Sequence, residues 1–288
     1  MYYYRRLPQF EYVAPGSLKE AASFLQAHPR ETRVMAGGTI LLHRMKERIG
    51  VKKYVMSLKA VPGLDAIDKA PGQVKIGSMV TIQTIADAPV VRRQCGLLAA
   101  ACQMLGTPQI RSMGTIGGNV ACNLATAEIV PVLIALDAQA TLAGAKGSRT
   151  VSVEELYREV RDGEFVTEIL VPVKAGQAWG YEKWAMRKRF DYATVSAAVA
   201  IAGTGRVCKD AKIALGGVTL PTRRARRAEE ILKGRSLTNR LMVEAAEAAA
   251  EGARMGADIH FTAEYKKELI KVMVSRALKQ AVSPGKEG

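Results

Sequence analysis

Residues that define common classes of site are scarce in this sequence. The 288 residues include only four cysteines and three histidines, and no cysteine pair has the C-x-x-C spacing of zinc or cluster sites. The histidines are isolated in sequence and show no metal-ligand spacing. We therefore predict neither a metal site nor a Ser-His-Asp catalytic group, and we interpret each cysteine as a small buried apolar residue.

Long apolar runs are also missing. No stretch of about 18 apolar residues is present to span a bilayer. The N-terminal segment MYYYRRLPQF lacks the apolar core of a secretory signal. The expectation is a cytoplasmic protein with reduced thiols and without membrane insertion.

Acidic residues are outnumbered by basic residues, 27 against 42, which gives a formal net charge of +15. A basic surface can attract nucleic acid, an anionic membrane, an anionic ligand or an acidic protein. Aromatic residues make up only 6% of the chain, and the basic runs at 187–189 and 223–227 lie in no nucleic-acid module. No nucleic-acid partner is expected; an acidic partner or an anionic cofactor is favoured, and a solvated basic surface is the alternative.

Short strands and helices alternate in the first part of the chain. A strand at Thr32–Met35, a glycine turn, a helix from Leu41 and a strand at 51–58 predict a βαβ-like unit. Further strands are predicted at 73–78 and 165–173, with an apolar helix at 95–104. Three strands beyond residue 175 precede an almost wholly helical tail, which indicates a separate α+β domain. The predicted domains are 1–175 and 176–288, the latter ending in a disordered segment at 283–288.

Two glycine turns are the most distinctive local feature. One is Ala36-Gly37-Gly38-Thr39 and the other runs from Thr115 to Asn119. Paired glycines permit positive φ and let backbone N–H groups approach an anion closely. Neither turn is a G-x-G-x-x-G or P-loop motif. Spacing alone is equally compatible with a diphosphate clamp and with two ordinary strand-to-helix corners.

Four segments give the sequence a family resemblance. They are MAGGTILLHRMK, GTPQIRSMGTIGGNVACNLATAEIVPVLIALDA, KWAMRKRFDYATVSAAVAI and DIHFTAEYKKELIKVMVSRAL. The chain resembles the FAD-binding, or medium, subunits of the xanthine dehydrogenase and aerobic carbon monoxide dehydrogenase family of molybdenum hydroxylases. The resemblance extends over nearly the whole chain.

The resemblance implies an α+β fold in two parts. Residues 1–175 resemble a two-lobed FAD-binding domain of the vanillyl-alcohol oxidase (PCMH) type. Residues 176–288 resemble the small C-terminal domain of the family's flavoproteins, a three-stranded antiparallel sheet plus helices. The cysteine-rich insert of the 4-hydroxybenzoyl-CoA reductase branch is absent from the sequence.

The resemblance also implies a set of FAD-contacting residues and no catalytic residue. The implied first diphosphate loop consists of Val34, Met35, Ala36, Gly37, Gly38, Thr39, Ile40 and Leu41. The implied second loop consists of Thr115, Ile116, Gly117, Gly118 and Asn119, and the further contacts are Leu105, Glu128, Leu170 and Lys183. The family usually has an acid or a serine near Ile40 and an aspartate at the position of Glu128. No histidine matches a position for covalent attachment, so FAD is expected to bind noncovalently.

In function, the resemblance implies an electron relay. FAD would take electrons from [2Fe–2S] clusters on a small partner subunit and pass them to an external acceptor. A large partner subunit would carry the molybdopterin site, and the expected assembly is a doubled heterotrimer. The alternatives are a stand-alone FAD-dependent oxidoreductase with its own small substrate and a non-catalytic nucleotide or nucleic-acid binder.

Overall fold

The structure, a computed structural model, describes residues 6–187, 190–204, 207–218 and 222–282. Residues 188 and 189 of the basic run and the predicted disordered segment 283–288 lie outside the described residues. The described chain forms three sheets, two in the N-terminal part and one in the C-terminal part.

The first lobe is a small parallel sheet with two helices. It contains β1 (Glu11–Val13), α1 (Leu18–Ala27), β2 (Thr32–Met35), α2 (Leu41–Lys46) and β3 (Tyr54–Ser57), and the strand order is β1-β3-β2. The Ser17 side chain accepts a hydrogen bond from the Glu20 N–H and so caps α1. The predicted βαβ-like unit is present, because β2 and β3 pair in parallel on either side of α2.

The helix α2 ends at Lys46, although the sequence predicted a helix that continues to Gly50. Arg48 and Gly50 both have positive φ, at 65° and 63°. Two left-handed residues so close together turn the chain out of the helix. The strand that follows is correspondingly shorter than the predicted 51–58.

The second lobe is a five-stranded antiparallel sheet in the order β4-β5-β8-β6-β7. Its strands are β4 (Ile67–Ala70), β5 (Gln73–Gly77), β6 (Gln139–Gly144), β7 (Gly147–Ser152) and β8 (Phe165–Pro172). Its helices are α3 (Ile82–Asp87), α4 (Pro89–Gln94), α5 (Gly96–Met104), α6 (Pro108–Met113), α7 (Ile116–Ala121), α8 (Ile129–Ala135) and α9 (Leu156–Glu159). Ile169 and Val171 of β8 join the apolar helices α5 and α8 in the largest core cluster.

The C-terminal part is a three-stranded antiparallel sheet in the order β11-β10-β9, covered by helices. It consists of β9 (Ala178–Trp184), β10 (Val195–Thr204), β11 (Val207–Gly216), α10 (Arg226–Leu232), α11 (Asn239–Gly252) and α12 (Ala263–Val282). The predicted α+β architecture is confirmed, with the three-stranded sheet and the helices in the expected order.

A common hydrophobic core joins the N-terminal and C-terminal parts. Residues 173–177 connect β8 to β9, and Ala198, Ala200 and Ala214 of the C-terminal sheet belong to the same buried cluster as α8. The helix α8 packs against both β10 and β11. Side chains on β9 therefore reach the ends of helices in the N-terminal part.

Candidate FAD site

The first glycine loop exposes a row of unpaired backbone donors. Gly38 has a φ of +72°, which turns the chain from β2 into α2. The residue before α2, Ile40, provides no side-chain cap for the helix. Among the residues that the structure describes, none accepts a hydrogen bond from the backbone N–H groups of residues 37–41. These N–H groups belong to half-buried residues and are free to donate to an anion.

The second glycine loop is already bonded to the protein. Thr115 caps α7, since its Oγ1 accepts from the Gly118 N–H at 3.1 Å. The Ile116 and Gly117 N–H groups donate to the carbonyls of Val80 and Ser78, each at 3.0 Å. The Asn119 N–H donates to Thr115 O at 2.9 Å. The N–H groups of residues 116–119 are therefore already used within the protein, and this part of the loop offers a ligand its side chains.

The fold brings the two loops into direct contact. A Cβ built on Gly37 would overlap the Met113 carbonyl oxygen, just before the second loop. A Cβ on Gly118 would lie 3.6 Å from the Ala36 Cβ. The Thr39 hydroxyl faces Gly114, 3.8 Å from the position of a Cβ there. The predicted loops thus lie side by side, although Thr39 and Gly117 are 78 positions apart in sequence (117 − 39). We call the region where they meet the crevice.

Unpartnered polar atoms in this region fit a polar ligand. Asn119 Oδ1 and Ser78 Oγ are buried and have no hydrogen-bond partner among the described residues. A buried polar atom without a partner costs free energy, and native proteins rarely leave one unused. The free N–H groups of the first loop are donors suited to an anion, whereas Asn119 Oδ1 is an acceptor suited to a hydroxyl or amino donor.

Leu105 lies in a turn that is fixed by its neighbours. Leu105 ends α5 and is only 9% exposed, and Gly106 follows with a φ of +45°. The Arg111 guanidinium of α6 donates to the carbonyls of Leu105 and Gly106, at 3.0 and 3.2 Å. Arg111 thus holds the turn from α6. We call Leu105 and Gly106 the Leu105 turn.

Glu128 and Lys183 face each other across the boundary between the two parts. Lys183 Nζ lies 2.8 Å from Glu128 Oε2, and the side chains are only 9% and 2% exposed. Burial raises the pKa of the Glu128 carboxyl above its ordinary value, and the Lys183 charge and hydrogen bond oppose that rise. The two predicted contacts are therefore brought together, in a pair that is nearly sealed from solvent.

Leu170 is the predicted contact residue for which the structure shows no direct contact with the other predicted residues among those described. It lies on β8, between Lys75 of β5 and Gln139 of β6. Because side chains alternate along a strand, Leu170 points to the face opposite Ile169 and Val171, and it is half-buried there. Glu168, two residues earlier, pairs with Gly77, directly before Ser78 of the crevice.

Several residues that shape the crevice carried no signal in the sequence. Ser78 packs against Gly117 through its Cβ and its backbone, and Met113 packs against Gly37 through its backbone carbonyl. Such contacts depend on tertiary structure and have no local pattern. Arg111 lies within the family-like segment PQIR, but only the structure shows that it binds the Leu105 turn.

The cysteines and the described helices show no further site. No group of three or more His, Cys, Asp or Glu side chains within the described residues could hold a metal ion. Burial raises the pKa of Cys95 and of Cys208 to about 11, so both are neutral thiols near pH 7. None of the helices in the described ranges is sufficiently long and apolar to cross a membrane.

Two family models match successive parts of the chain. The family described as FAD binding domain in molybdopterin dehydrogenase matches residues 8–174. The family described as CO dehydrogenase flavoprotein C-terminal domain matches residues 181–281. The two glycine loops lie in the first match, and Lys183 lies in the second.

Similar proteins match the chain over nearly its whole length. The nicotine 6-hydroxylase medium subunit of Paenarthrobacter nicotinovorans is 31% identical, covering 96% of this chain and 98% of its own. The carbon monoxide dehydrogenase medium chain of Hydrogenophaga pseudoflava is 32% identical, covering 95% and 97%. A solved carbon monoxide dehydrogenase from Hydrogenophaga pseudoflava, lacking the Mo-pyranopterin moiety, superposes with a TM-score of 0.93 at 33% identity, covering 96% and 98%. The chain belongs to the family of FAD-binding medium subunits of molybdenum hydroxylases such as carbon monoxide dehydrogenase and xanthine dehydrogenase.

Proposed function

We propose that this chain binds FAD noncovalently and connects the [2Fe–2S] clusters of a partner subunit to an external electron acceptor. The observation that carries the proposal is the meeting of the two glycine loops at Gly37 and Met113. One loop supplies unpaired N–H groups, and the other supplies the unpartnered Asn119 Oδ1. When bound, FAD supplies the redox chemistry, because it accepts electrons singly or in pairs.

The residues of this chain bind and orient that cofactor. The N–H groups of residues 37–41 would hold the diphosphate, and Thr39 adds a hydroxyl at the same edge. The remaining members of the first loop, Val34, Met35 and Ala36, shape its wall. Thr115, Ile116, Gly117, Gly118 and Asn119 form the opposite wall, and Leu105 offers an apolar surface. Leu170 stays a predicted contact on β8.

The proposed partners are a large molybdopterin subunit and a small [2Fe–2S] subunit, in a doubled heterotrimer located in the cytoplasm. The similar proteins named above are medium subunits or medium chains, which supports membership of a larger enzyme. The net charge of +15 supports an acidic partner surface, since complementary fields speed encounter. These arguments favour the relay over a stand-alone FAD-dependent oxidoreductase.

The domain division 1–175 and 176–288 is part of the same proposal. Support comes from the connection at residues 173–177, where the five-stranded sheet ends and the C-terminal sheet begins. The boundary between the two family matches, at residues 174 and 181, falls in the same region.

The first test is the identity of the bound flavin. The full chain, purified after expression with riboflavin, should show flavin absorption, and acid should release FAD rather than FMN. Co-expression with genes encoding candidate molybdopterin and [2Fe–2S] subunits should give a complex that contains molybdenum, iron and FAD. Turnover of a small organic substrate by the isolated chain, at about 1–10³ s⁻¹, would instead establish the stand-alone oxidoreductase.

A further inference from the structure

We propose that Tyr181 is a positioning residue that holds the Glu128 carboxylate in the orientation in which it accepts a hydrogen bond from FAD. The inference rests on the proposed FAD site, in which Glu128 and Lys183 contact the cofactor. It adds a residue that the family resemblance did not single out. Tyr181 is only 3% exposed, so its effect on the cofactor passes through Glu128.

The strand β9 delivers the Tyr181 hydroxyl to the start of α8. Tyr181 and Lys183 are two residues apart on β9, so their side chains lie on the same face of the sheet. The cross-strand partner of Tyr181 is the small residue Ala198, and both belong to the core cluster that contains α8. The Tyr181 N–H donates to Gln280 Oε1 at 2.8 Å, which fixes the strand against α12. Glu128 directly precedes α8 and faces this side of the sheet.

The two side chains from β9 reach the same carboxylate oxygen. Lys183 Nζ lies 2.8 Å from Glu128 Oε2, and the Tyr181 hydroxyl lies 3.4 Å from that oxygen. Lys183 Nζ is itself anchored by Met104 O, at 2.7 Å. Glu128 Oε1 makes no side-chain hydrogen bond among the described residues. A carboxylate accepts through both of its oxygens, so Oε1 is the one left for a hydroxyl or amino donor of the ligand.

A glutamate at this position needs more than one contact to be held still. It has one methylene more than the aspartate that the family usually has there. A bond from Lys183 to Oε2 fixes one oxygen, but the carboxylate can still rotate about that oxygen. The lysine stem is also flexible, whereas the tyrosine ring has only two side-chain torsions. A second donor from a rigid ring therefore limits where Oε1 points.

The Tyr181 hydroxyl is committed to this contact by its burial. Buried tyrosine hydroxyls usually find a hydrogen-bond partner, and the acceptor here is the Glu128 carboxylate. A bond to a charged acceptor is stronger than a bond to a neutral one. The separation of 3.4 Å is long for two oxygens, so the expected effect on FAD affinity is moderate rather than all-or-none.

The ionisation of Glu128 separates positioning from simple packing. Burial raises the pKa of the Glu128 carboxyl, and Lys183, the Ala193 N–H and the Tyr181 hydroxyl oppose that rise. Cys102 of α5 also lies near the Tyr181 hydroxyl, and burial raises the pKa of this thiol, so it is neutral. Loss of the hydroxyl raises the pKa of Glu128 further. Because a protonated carboxyl is a poorer acceptor, FAD affinity should then begin to fall at a higher pH.

The experiment is a double-mutant cycle on the full chain with Y181F, E128D and E128D/Y181F. The FAD dissociation constant is measured by titrating apoprotein between about pH 5 and 8. Y181F should raise the dissociation constant about three- to tenfold at neutral pH. It should also move the acid midpoint of affinity upward by about half a pH unit. The shorter side chain in E128D withdraws the carboxylate from the hydroxyl, so adding Y181F to E128D should change the dissociation constant about twofold or less.

Three results would overturn the inference. The first is a Y181F variant with wild-type affinity at every pH. The second is a loss of affinity with an unmoved acid midpoint, which would assign Tyr181 to packing alone. The third is an equal effect of Y181F in the Glu128 and Asp backgrounds, since the hydroxyl would then act by another route. E128A tests the underlying contact: wild-type affinity in E128A would refute the bond from Glu128 to FAD, and with it the inference. Failure of the wild-type chain to bind FAD would refute the proposed function itself.

Y157F is the matched control, because it also removes one tyrosine hydroxyl. The Tyr157 hydroxyl donates to the carbonyl of Val120, an uncharged acceptor on α7. Its loss removes no bond to the Glu128 carboxylate. Y157F should therefore keep the wild-type acid midpoint, whatever its effect on stability. A shift in Y157F as large as that in Y181F would show that the midpoint follows general loosening of the fold, and it would refute the positioning role of Tyr181.

Discussion

Gly37 lies against the Met113 carbonyl with no room for a side chain between them. G37A should therefore push the two glycine loops apart. The expected loss of FAD affinity is about 1–3 kcal/mol, the usual cost of overpacking a close contact. The measurement is a titration of the apoprotein with FAD, in which binding is monitored by flavin fluorescence.

G252A is the matched control for this glycine. Gly252 ends α11, and a Cβ there would have nothing within 4 Å. The G252A variant should bind FAD as wild type does. Equal affinity of G37A and wild type would show that the loops can separate without consequence for the ligand.

The two glycines of the second loop should differ in their effects. A Cβ on Gly117 would lie 2.5 Å from the Ser78 Cβ and 2.7 Å from Ser78 O, so α7 would have to move away from β5. A Cβ on Gly118 would meet mainly the Thr115 hydroxyl, at 3.0 Å. G117A should lower the thermal midpoint of the apoprotein clearly more than G118A, while both weaken FAD binding. Identical midpoints would contradict the assignment of Gly117 to packing.

Asn119 should matter to the ligand more than to the fold. Its buried Oδ1 has no partner among the described residues, so N119A removes an unpaired group from the apoprotein. We expect an unchanged or higher thermal midpoint and a loss of about 1–3 kcal/mol in FAD binding.

T115A is the comparison for Asn119, because Thr115 caps α7. It should lose about 1 kcal/mol of stability, the typical cost of removing a threonine cap. A lower midpoint in N119A than in T115A would assign Asn119 to the fold instead.

The secondary-structure elements that could be predicted are those with a clear local sequence pattern. The strand Thr32–Met35 and the turn at Gly37 and Gly38 were readable because apolar residues lead into paired glycines. The order of three strands and then helices after residue 175 was readable from the change in pattern. The short helices α4 and α6 were not predicted, since six residues contain too little periodicity.

The sequence indicated the two glycine loops of the candidate site, but it did not indicate which residues pack against one another around them. Family resemblance pointed to Glu128 and Lys183 as separate contacts, and neither residue indicates in sequence that the other is its partner. The contact between Gly37 and Met113 joins distant segments through backbone atoms, which no periodicity encodes. Such relationships arise only when the lobes and the C-terminal sheet are assembled.

Acid should weaken the domain boundary through Asp137 and Glu154. Burial alone would raise the pKa of both carboxyls, but Lys174 and Lys212 at Asp137, and Arg226 and Arg224 at Glu154, hold each pKa below its usual range. Their folded-state pKa values are lowered, so they contribute stability above the unfolded values near about 4. That contribution is lost as the pH falls through the folded values.

The double variant D137N/E154Q tests this pH dependence. It should melt several degrees below wild type at pH 7, and the difference should shrink as the pH falls below about 4. D162N is the control, because Asp162 and its partner Arg30 are 72% and 87% exposed and such pairs contribute little. If the difference in melting temperature between wild type and the double variant is independent of pH, ionisation of these carboxyls is not its cause.

The bond from Lys183 to Met104 also bears on the order of events during protein synthesis. It joins residues 79 positions apart, and the bond to Glu128 joins residues 55 apart. An N-terminal domain generally folds first as the chain leaves the ribosome. Here both glycine loops emerge long before the lysine that fixes the Leu105 turn. The Leu105 turn therefore gains this bond only after β9 has been translated and has docked.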